Sequence, residues 1–179
     1  GLREGGLVLI DPESGRQRHV VASHAGAGAD RGLSSNNVRA LFEEAPGVLW
    51  VGTDAGLDRH DGTSVAFTHL TTRSAPLALA DSIVSSLHED SRGRLWIGSV
   101  PGISALDSTR TSIRHYYHRY RTYRYGWGLA VSLAEDRSGD MWVSTRSELM
   151  RLEPKTGEFT YHRHDPQATE SINSDLPTQ

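Results

Sequence analysis

The chain has 179 residues, a formal net charge of −3 and a mean hydropathy of −0.48, and 36% of its residues are apolar. This length fits one domain or a piece of a larger one, and the acidic balance argues against a general binder of nucleic acids or acidic membranes. The absence of cysteine excludes disulfides, thiolate nucleophiles and cysteine-based zinc sites. No apolar run approaches the roughly 20 residues that span a bilayer.

The N-terminal residues 1–32 contain the sequence GGLVLIDPESGRQRHV. It resembles the rear half of a unit found again near the C-terminus, where EPKTG at 153–157 echoes DPESG at 11–15. Internal repeats must be found before local patterns are interpreted, because a missed repeat leads to the wrong predicted fold. We predict that residues 1–32 form the third and fourth strands of one repeat.

Three whole units follow at 33–78, 79–124 and 125–170, and residues 171–179 look like the start of another. Their central parts align without a gap as VRALFEEAPGVLWVGTDAGLDRHD, VSSLHEDSRGRLWIGSVPGISALD and AVSLAEDRSGDMWVSTRSELMRLE. The residues that recur every 46 positions include Trp50, Trp96 and Trp142, and Gly47, Gly93 and Gly139. Because every unit needs them, we interpret the tryptophans as packing between units and the glycines as supplying the positive φ of a turn.

Apolar residues alternate within each unit, as in VRALF and LWVG, which predicts strands of five or six residues. In the first whole unit, a third strand is predicted at Gly56–Asp61 and a fourth near Ser64–Leu70. Four short strands in each unit, with Gly and Trp at fixed offsets, are typical of a β-propeller blade. We therefore predict an all-β fold of β-propeller blades with four antiparallel strands each. The repeats number about three and a half, which predicts an incomplete ring.

The recurring motif N-x-V-x-x-L-x-E-[DE]-x-x-G-x-L-W-[VI]-G-[TS]-x-x-G-[LI] resembles the two-component regulator propeller repeat. In the third unit Ser144 and Glu148 stand where the motif has glycine, so we expect that unit to keep the strand without close backbone contacts. The resemblance implies the periplasmic ligand-sensing part of a hybrid two-component sensor or of a membrane-bound diguanylate cyclase. The membrane would then be reached only through segments outside this chain.

Residues 113–128, IRHYYHRYRTYRYGWG, hold five of the six tyrosines and four arginines. A shift by 46 places Ile113 on Phe67, so the stretch begins as the fourth strand of the second unit and continues as a connection to the next unit. Such connections lie on the propeller face that usually binds ligands, and Tyr and Arg side chains suit glycans and oxyanions. The predicted ligand-binding residues are Tyr120, Arg121, Tyr123, Arg124, Tyr125, Trp127 and Arg146.

Other candidate residues receive structural interpretations. We expect Tyr116 and Tyr117 on the predicted strand to cover the blade below them. The carboxylate pairs Glu43–Glu44, Glu89–Asp90 and Glu135–Asp136 resemble catalytic pairs, but three equivalent copies at a turn are better explained as turn acceptors. His162 and His164 would share one face of a strand, yet no third ligand lies near them. We predict no catalytic residue, no metal site and no cofactor.

Three functional hypotheses from different classes remain. The first is a non-enzymatic sensor module that binds a glycan or a small anionic metabolite outside the cytoplasm. The second is a scaffold that contacts other proteins, and the third is a propeller lyase or hydrolase, which would need a non-repeating carboxylate, His or Tyr in the central channel. The expected partners are a ligand and further blades or a second copy of the chain, because an incomplete ring exposes a strand edge. Nucleic acid is not expected.

Overall fold

A computed structural model describes residues 5–23, 32–64, 66–118, 129–146, 148–162 and 167 of the chain. These ranges contain strands and turns, and no helix in them could cross a membrane. In chain order the strands are β1 (Leu7–Ile10), β2 (Gln17–Val20), β3 (Val38–Ala45), β4 (Val48–Thr53), β5 (Leu57–His60), β6 (Phe67–Leu70), β7 (Ser86–Glu89), β8 (Leu95–Gly98), β9 (Gly102–Leu106), β10 (Ile113–Tyr117), β11 (Ser132–Glu135), β12 (Met141–Ser144), β13 (Leu149–Glu153) and β14 (Glu158–His162).

The strands form one two-stranded sheet and three four-stranded sheets. Strands β3–β6 form blade 1, β7–β10 form blade 2 and β11–β14 form blade 3, whereas β1 and β2 form a half blade. Successive strands pair antiparallel in every sheet, as expected when short turns connect them. The predicted all-β fold of four-stranded antiparallel propeller blades is therefore confirmed.

The chain divides into two compact units, Gly1–Ser85 and Ser86–Gln179. The first unit holds the half blade and blade 1, and the second unit holds blades 2 and 3. Each unit has a hydrophobic core of its own, so each contains the packing that orders its strands.

Blades 2 and 3 share the core of the second unit. Trp96 and Tyr116 of blade 2 cluster with Leu133, Met141 and Val143 of blade 3. Trp96 is 0% exposed, and the centroid of its ring lies 5.5 Å from that of Tyr116. Because buried aromatic rings remove large apolar areas from water, this pair supplies much of the contact between the two blades.

A hydrogen bond from the tryptophan indole to an acidic side chain recurs in every blade. The acid precedes the tryptophan by six residues each time and lies at the end of the first strand or directly after it. The pairs are Trp50 with Glu44 at 3.1 Å, Trp96 with Asp90 at 2.7 Å and Trp142 with Asp136 at 3.0 Å. A buried indole N–H needs an acceptor, so this bond fixes the turn against the second strand of its blade.

The acid of blade 2, Asp90, has a fully buried side chain. Besides the Trp96 indole, it accepts hydrogen bonds from Arg94 Nε at 2.7 Å and from the backbone amides of Arg92 and Arg94, each at 2.9 Å. Burial disfavours the ionised form of Asp90, but the hydrogen bonds from Trp96, Arg94 and Arg92 outweigh burial and lower the pKa of Asp90. The Arg94 guanidinium lies 5.0 Å from the Trp96 ring centroid, so it also covers the indole.

Gly98 at the end of β8 permits a close approach between blades 2 and 3. A Cβ atom on Gly98 would overlap the hydroxyl of Ser86 and would lie 3.0 Å from the Cβ of Ala130. The Ser86 hydroxyl also donates to the Ala130 carbonyl at 2.8 Å, which ties the two blades together. Ser144 takes the equivalent place in blade 3, and β12 still pairs with β11 and β13, so the strand is kept there as predicted.

In the first unit, blade 1 packs on the half blade through a smaller core. Its buried members are Leu7, Val20, Leu33, Val51 and Phe67. Leu41 lies opposite Val51 in the β3–β4 ladder, so it shares that face of blade 1, yet it is 47% exposed. The equivalent residue of blade 3, Leu133, is 9% exposed because blade 2 covers it. The two strands of the half blade leave the face at Leu41 uncovered within the described residues.

Blade 1 also buries a polar cluster on its third strand. The side chain of Asp58 is fully buried and accepts hydrogen bonds from His69 Nδ1 at 2.7 Å, from the Ser34 amide at 2.8 Å and from the Ser34 hydroxyl at 3.0 Å. Burial raises the pKa of Asp58 above its usual value, although the hydrogen bonds from His69 and Ser34 act against it. The equivalent position of blade 2 holds Ser104, which bonds His115 at 2.7 Å, so blade 2 has no carboxyl there.

Replacing Asp90 with alanine should lower the free energy of unfolding by about 2 to 3 kcal/mol, because the Trp96 indole and the Arg94 guanidinium lose their shared acceptor. Urea unfolding followed by tryptophan fluorescence measures the loss. The matched control is Asp136→Ala in blade 3, where the carboxyl is 25% exposed and Trp142 is only partly buried, so we expect a clearly smaller loss. Equal losses in the two variants would contradict the importance of burial.

Replacing Asp58 with asparagine should change how stability depends on pH. A folded-state pKa above the unfolded value stabilises the protein below about pH 4, and this contribution disappears as the pH rises through the folded-state pKa. The free energy of unfolding of the wild type, minus that of Asp58→Asn, should therefore fall as the pH is raised from about 4. Urea titrations at several pH values measure this difference. Ser104→Ala, which removes no carboxyl, is the control, and a difference that rises with pH would refute the expectation.

Candidate functional site

The predicted ligand-binding residues fall into two groups. Tyr120, Arg121, Tyr123, Arg124, Tyr125 and Trp127 lie outside the described residues, so their role stays a prediction. Arg146 lies in the turn between β12 and β13 and is exposed to solvent. The structure describes the residues on both sides of the segment 119–128, up to His118 and from Leu129 onward.

Both ends of the segment 119–128 are attached to one hairpin turn. Before the segment, the His118 amide donates to the Pro101 carbonyl at 3.3 Å, and after it the Ala130 amide donates to the Ser99 carbonyl at 3.3 Å. Ser99 and Pro101 belong to the turn between β8 and β9. His118 is 2% exposed and Ala130 is 0% exposed, so both hydrogen bonds are made by buried residues, shielded from water. His118 and Ala130 are therefore both attached to the turn between the second and third strands of blade 2.

The first part of the aromatic stretch forms the fourth strand of blade 2, as predicted. Tyr116 on this strand is buried, and its hydroxyl donates to the Pro154 carbonyl of blade 3 at 3.2 Å. Tyr117 is 45% exposed, and its ring centroid lies 6.0 Å from that of His115. Tyr116 thus joins blade 2 to blade 3, in agreement with its expected role of covering a neighbouring blade.

The turns between second and third strands are built alike in the three blades. A hydroxyl at the first position donates to the carbonyl at the fourth, in Thr53–Gly56 at 3.0 Å, Ser99–Gly102 at 3.1 Å and Thr145–Glu148 at 3.3 Å. Gly56 and Gly102, at the fourth position of these turns, have φ angles of 148° and 153°. Glu148 takes this position in blade 3 without a positive φ, since Arg110 is the only described non-glycine residue that has one. Glu148 is 2% exposed, so the turn of blade 3 combines a buried acid with the exposed Arg146 and differs chemically from the other two.

The acidic residues at the turns between first and second strands accept hydrogen bonds, as predicted. Glu43 accepts the Gly47 amide at 3.0 Å, and Glu135 accepts the amide and the hydroxyl of Ser91 at 2.7 and 2.9 Å, which links blade 3 to blade 2. The glycines of these turns, Gly47, Gly93 and Gly139, have φ angles of 83°, 72° and 83°. These bonds occupy the carboxylates with structural donors.

Acidic residues at the end of the third strands behave in the same way. Asp61 accepts the amides of Ser64 and Thr63 at 2.9 Å each, and these bonds lower the pKa of Asp61 to about 2. Asp107 accepts the amides of Ser112 and Thr111, which hold its pKa well below the usual range. Both side chains are therefore ionised turn acceptors at neutral pH.

The histidine pair considered for metal binding is only partly described. The ring of His162 stacks on Trp142 with centroids 5.0 Å apart, and His164 lies outside the described residues. Within the part of the chain that the structure describes, no group of three His, Cys, Asp or Glu side chains could hold a metal ion.

The second unit has a basic groove that was not predicted from the sequence. Arg92, Arg94, Arg114 and Lys155 line this groove, which has a volume of about 340 Å³ and includes Tyr116 in its wall. It lies at the end of blade 2 opposite the β8–β9 turn, because it takes residues from the β7–β8 and β13–β14 turns. In the sequence, no acidic residue stands between Asp107 and Glu135, an interval that contains Arg114. Lys155 is distant in the chain and joins the same groove only when the blades pack.

Two stretches of the chain match a known family. Residues 32–55 and 78–100 match the model of the family described as two component regulator propeller. The two ranges contain the Trp50 and Trp96 motifs, whereas the third unit, with Ser144 and Glu148 in place of glycine, lies outside them. No curated protein sequence is detectably similar to the chain.

Several solved structures share the fold. The extracellular domain of a proposed hybrid two component system, BT3049 from B. thetaiotaomicron, has a TM-score of 0.68 and 22% sequence identity over 93% of this chain and 22% of that chain. The extracellular domain of a second such system from the same organism, BT4673, has a TM-score of 0.65 and 15% identity over 97% of this chain and 27% of that chain. A streptogramin B lyase has a TM-score of 0.53 and 15% identity, over 70% and 40%.

These structures establish the propeller fold of the chain and leave its activity open, because identities this low show the fold alone. The chain also spans only 22% and 27% of the length of the two extracellular domains. The 46-residue spacing, the four-stranded blades and the family match agree with one another. Residues 32–55 and 78–100 therefore match repeats of the two component regulator propeller family, and the rest of the chain shares the propeller fold.

Proposed function

We propose that the chain is a non-enzymatic, ligand-sensing propeller module of a membrane-bound bacterial signalling protein. Its ligand would be an extracellular glycan or anionic metabolite, bound by the segment that holds Tyr120, Arg121, Tyr123, Arg124, Tyr125 and Trp127 together with Arg146. The observation that supports the proposal is that His118 and Ala130, which flank this Tyr- and Arg-rich segment, are both hydrogen-bonded to the β8–β9 turn. Loops held by a rigid scaffold are common sites of recognition.

The proposed location is extracytoplasmic, in the periplasm. Two extracellular domains of proposed hybrid two component systems share the fold, which supports this location. Ligand binding would favour one arrangement of the propeller over another, and a kinase or cyclase domain elsewhere in the protein would respond to that shift.

The chemistry of the acidic residues supports a role without catalysis. Described carboxylates such as Glu43, Asp90 and Glu135 are occupied by turn amides, hydroxyls or an indole, whereas catalytic pairs need environments that separate their pKa values. The alternative of a lyase or hydrolase draws on the shared fold of streptogramin B lyase. Turnover of a panel of polysaccharides by the purified chain would favour that alternative.

The ligand-binding proposal predicts a thermal shift. A ligand at 100 times its Kd stabilises the native state by about 2.7 kcal/mol, which corresponds to a rise in Tm of roughly 5 to 10 °C for a chain of this size. We expect such a rise from at least one member of a panel of neutral glycans, acidic glycans and anionic metabolites. The double variant Tyr123→Ala with Trp127→Ala should lose the response.

The controls keep the aromatic and cationic content comparable. Tyr117→Ala removes an exposed tyrosine from β10, outside the segment, and should keep the response. Arg146→Ala should weaken binding, whereas Arg137→Ala, at an exposed turn on the opposite end of blade 3, should not. An unchanged response in the Tyr123/Trp127 variant would place the ligand elsewhere.

The uncovered face of blade 1 favours a protein partner as well. Leu41 on this face is 47% exposed. On the neighbouring half blade Ile10 is 61% exposed, and β1 pairs only with β2 among the described residues. We propose that further blade strands or a second copy of the chain cover this face, since exposed apolar strand edges favour association.

In isolation the chain should therefore self-associate, and Leu41→Lys should shift it toward the monomer because a charge on this face must lose water when it is covered. Size-exclusion chromatography with light scattering measures the mass. Tyr117→Lys places the same charge on an exposed residue of the second unit and should leave the mass unchanged. A wild-type chain that stays monomeric at high concentration would overturn this proposal.

A further inference from the structure

The basic groove of the second unit has an excess of positive charge. Among the titratable residues that line it, Arg92, Arg94, Arg114 and Lys155 are cationic, and Asp107 is the one acid. Arg94 is paired with Asp90, as described above. Arg92, Arg114 and Lys155 form no ion pair with any carboxylate in the described part of the chain. Three cations without a carboxylate partner thus converge on one concave surface.

The acids around the groove reduce this charge without cancelling it, because the ionised Asp107 opposes the three positive charges of Arg92, Arg114 and Lys155. Asp107 accepts two amides and two hydroxyls of its own turn. Outside the groove, Glu89 pairs with Arg110 at 3.6 Å, and Asp140 pairs with Arg151 at 2.5 Å. The positive potential therefore stays available to an anion from solution.

Aromatic rings hold two of the cations in place. The Arg114 guanidinium lies 4.9 Å from the Tyr116 ring centroid, and the Arg94 guanidinium lies 5.0 Å from that of Trp96. Guanidinium groups that are already positioned lose less freedom when they form paired hydrogen bonds to an oxyanion. Arg94 Nη2 is also buried and has no hydrogen-bond acceptor in the described ranges, so a suitable acceptor there would remove a cost.

The groove is a composite of two blades. Arg92, Arg94 and Arg114 belong to blade 2, whereas Lys155 belongs to the β13–β14 turn of blade 3. The hydrogen bond from the Tyr116 hydroxyl to the Pro154 carbonyl fixes that turn beside β10 and so sets the distance between the two sets of cations. A bound molecule that contacts the arginines of blade 2 and Lys155 of blade 3 would therefore connect the two blades.

We propose that this groove is a second binding site, which recognises the carboxylate, sulfate or phosphate group of a small acidic molecule. The volume of about 340 Å³ is near the lower end of small-molecule sites, so it fits a single acidic sugar or a metabolite of similar size. The site is separate from the ligand segment beside the β8–β9 turn, because it lies at the other end of blade 2. It can therefore exist whether or not that segment binds a glycan.

Thermal shift and isothermal titration calorimetry on the whole 179-residue chain test the site with three probes: sodium sulfate, sodium phosphate and sodium glucuronate. Each is compared with sodium chloride at equal ionic strength, and glucuronate is also compared with glucose. We expect a saturable rise in Tm from the oxyanions and none from chloride or glucose. A stronger effect of glucuronate than of the inorganic ions would identify a sugar acid as the source of the oxyanion, and the reverse order would identify a free inorganic ion.

The decisive variant is Arg92→Gln with Lys155→Gln, because both side chains are exposed and their loss should leave the fold intact. It should weaken oxyanion binding about tenfold or more, in proportion to the two charge contacts removed. Arg18→Gln with Arg73→Gln removes the same charge from exposed positions in the first unit and should bind as the wild type does.

Two results would overturn the proposal. One is a wild-type shift that chloride reproduces at equal ionic strength, because it would reflect general screening. The other is an equal affinity in the wild type and in the Arg92/Lys155 variant. Arg114→Gln provides a second variant on the blade 2 side, and its affinity should fall while its stacking partner Tyr116 stays buried, as judged from an unchanged denaturant m-value.

Discussion

Each blade depends on one hydrogen bond, from a tryptophan indole to a carboxylate six residues earlier in the chain. A buried indole N–H needs an acceptor, and the acceptor lies at the end of the first strand or in the turn that follows it. The turn between the first two strands also needs a glycine with positive φ, which Gly93 supplies in blade 2. The three requirements explain why an acid, a glycine and a tryptophan recur together at fixed offsets.

The blades differ in what covers this bond from outside. In blade 1 the guanidinium of Arg59 lies 5.5 Å from the Trp50 ring, and in blade 2 that of Arg94 lies 5.0 Å from Trp96. In blade 3 the ring of His162 stacks on Trp142 instead. The same hydrogen bond is therefore covered by a different side chain in each blade, which gives each blade a different surface. In blade 2 the covering side chain, Arg94, is also part of the basic groove.

Much of the fold could be predicted from the sequence, because the repeat multiplies weak local signals. The 46-residue spacing placed Ile113 on a fourth strand, and the structure has β10 begin there. Arg146 is exposed in the β12–β13 turn, and its predicted role and that of the aromatic residues of the candidate site stay predictions. The basic groove could not be predicted, since Lys155 and Arg114 come to line one groove only through packing between blades.

The buried acid of blade 1 shows a second reason why sequence patterns fall short. In the strand Leu57–His60, alternation suggests that Asp58 faces water, yet its side chain is buried. Three hydrogen bonds from Ser34 and His69 make this burial tolerable. His69 is its neighbour across the β5–β6 ladder, so the partner becomes recognisable only after the register of the two strands is known.

The attachment of both ends of the segment 119–128 to a single hairpin turn has an evolutionary consequence. The carbonyls of Ser99 and Pro101 accept the amides of Ala130 and His118, and the four strands of blade 2 lie between Ser86 and Tyr117, before this segment begins. The entropy cost of closing such a connection grows only slowly with its length. By this argument, a change in the length of the segment should cost little free energy, so the segment could change while the four strands of blade 2 stay the same.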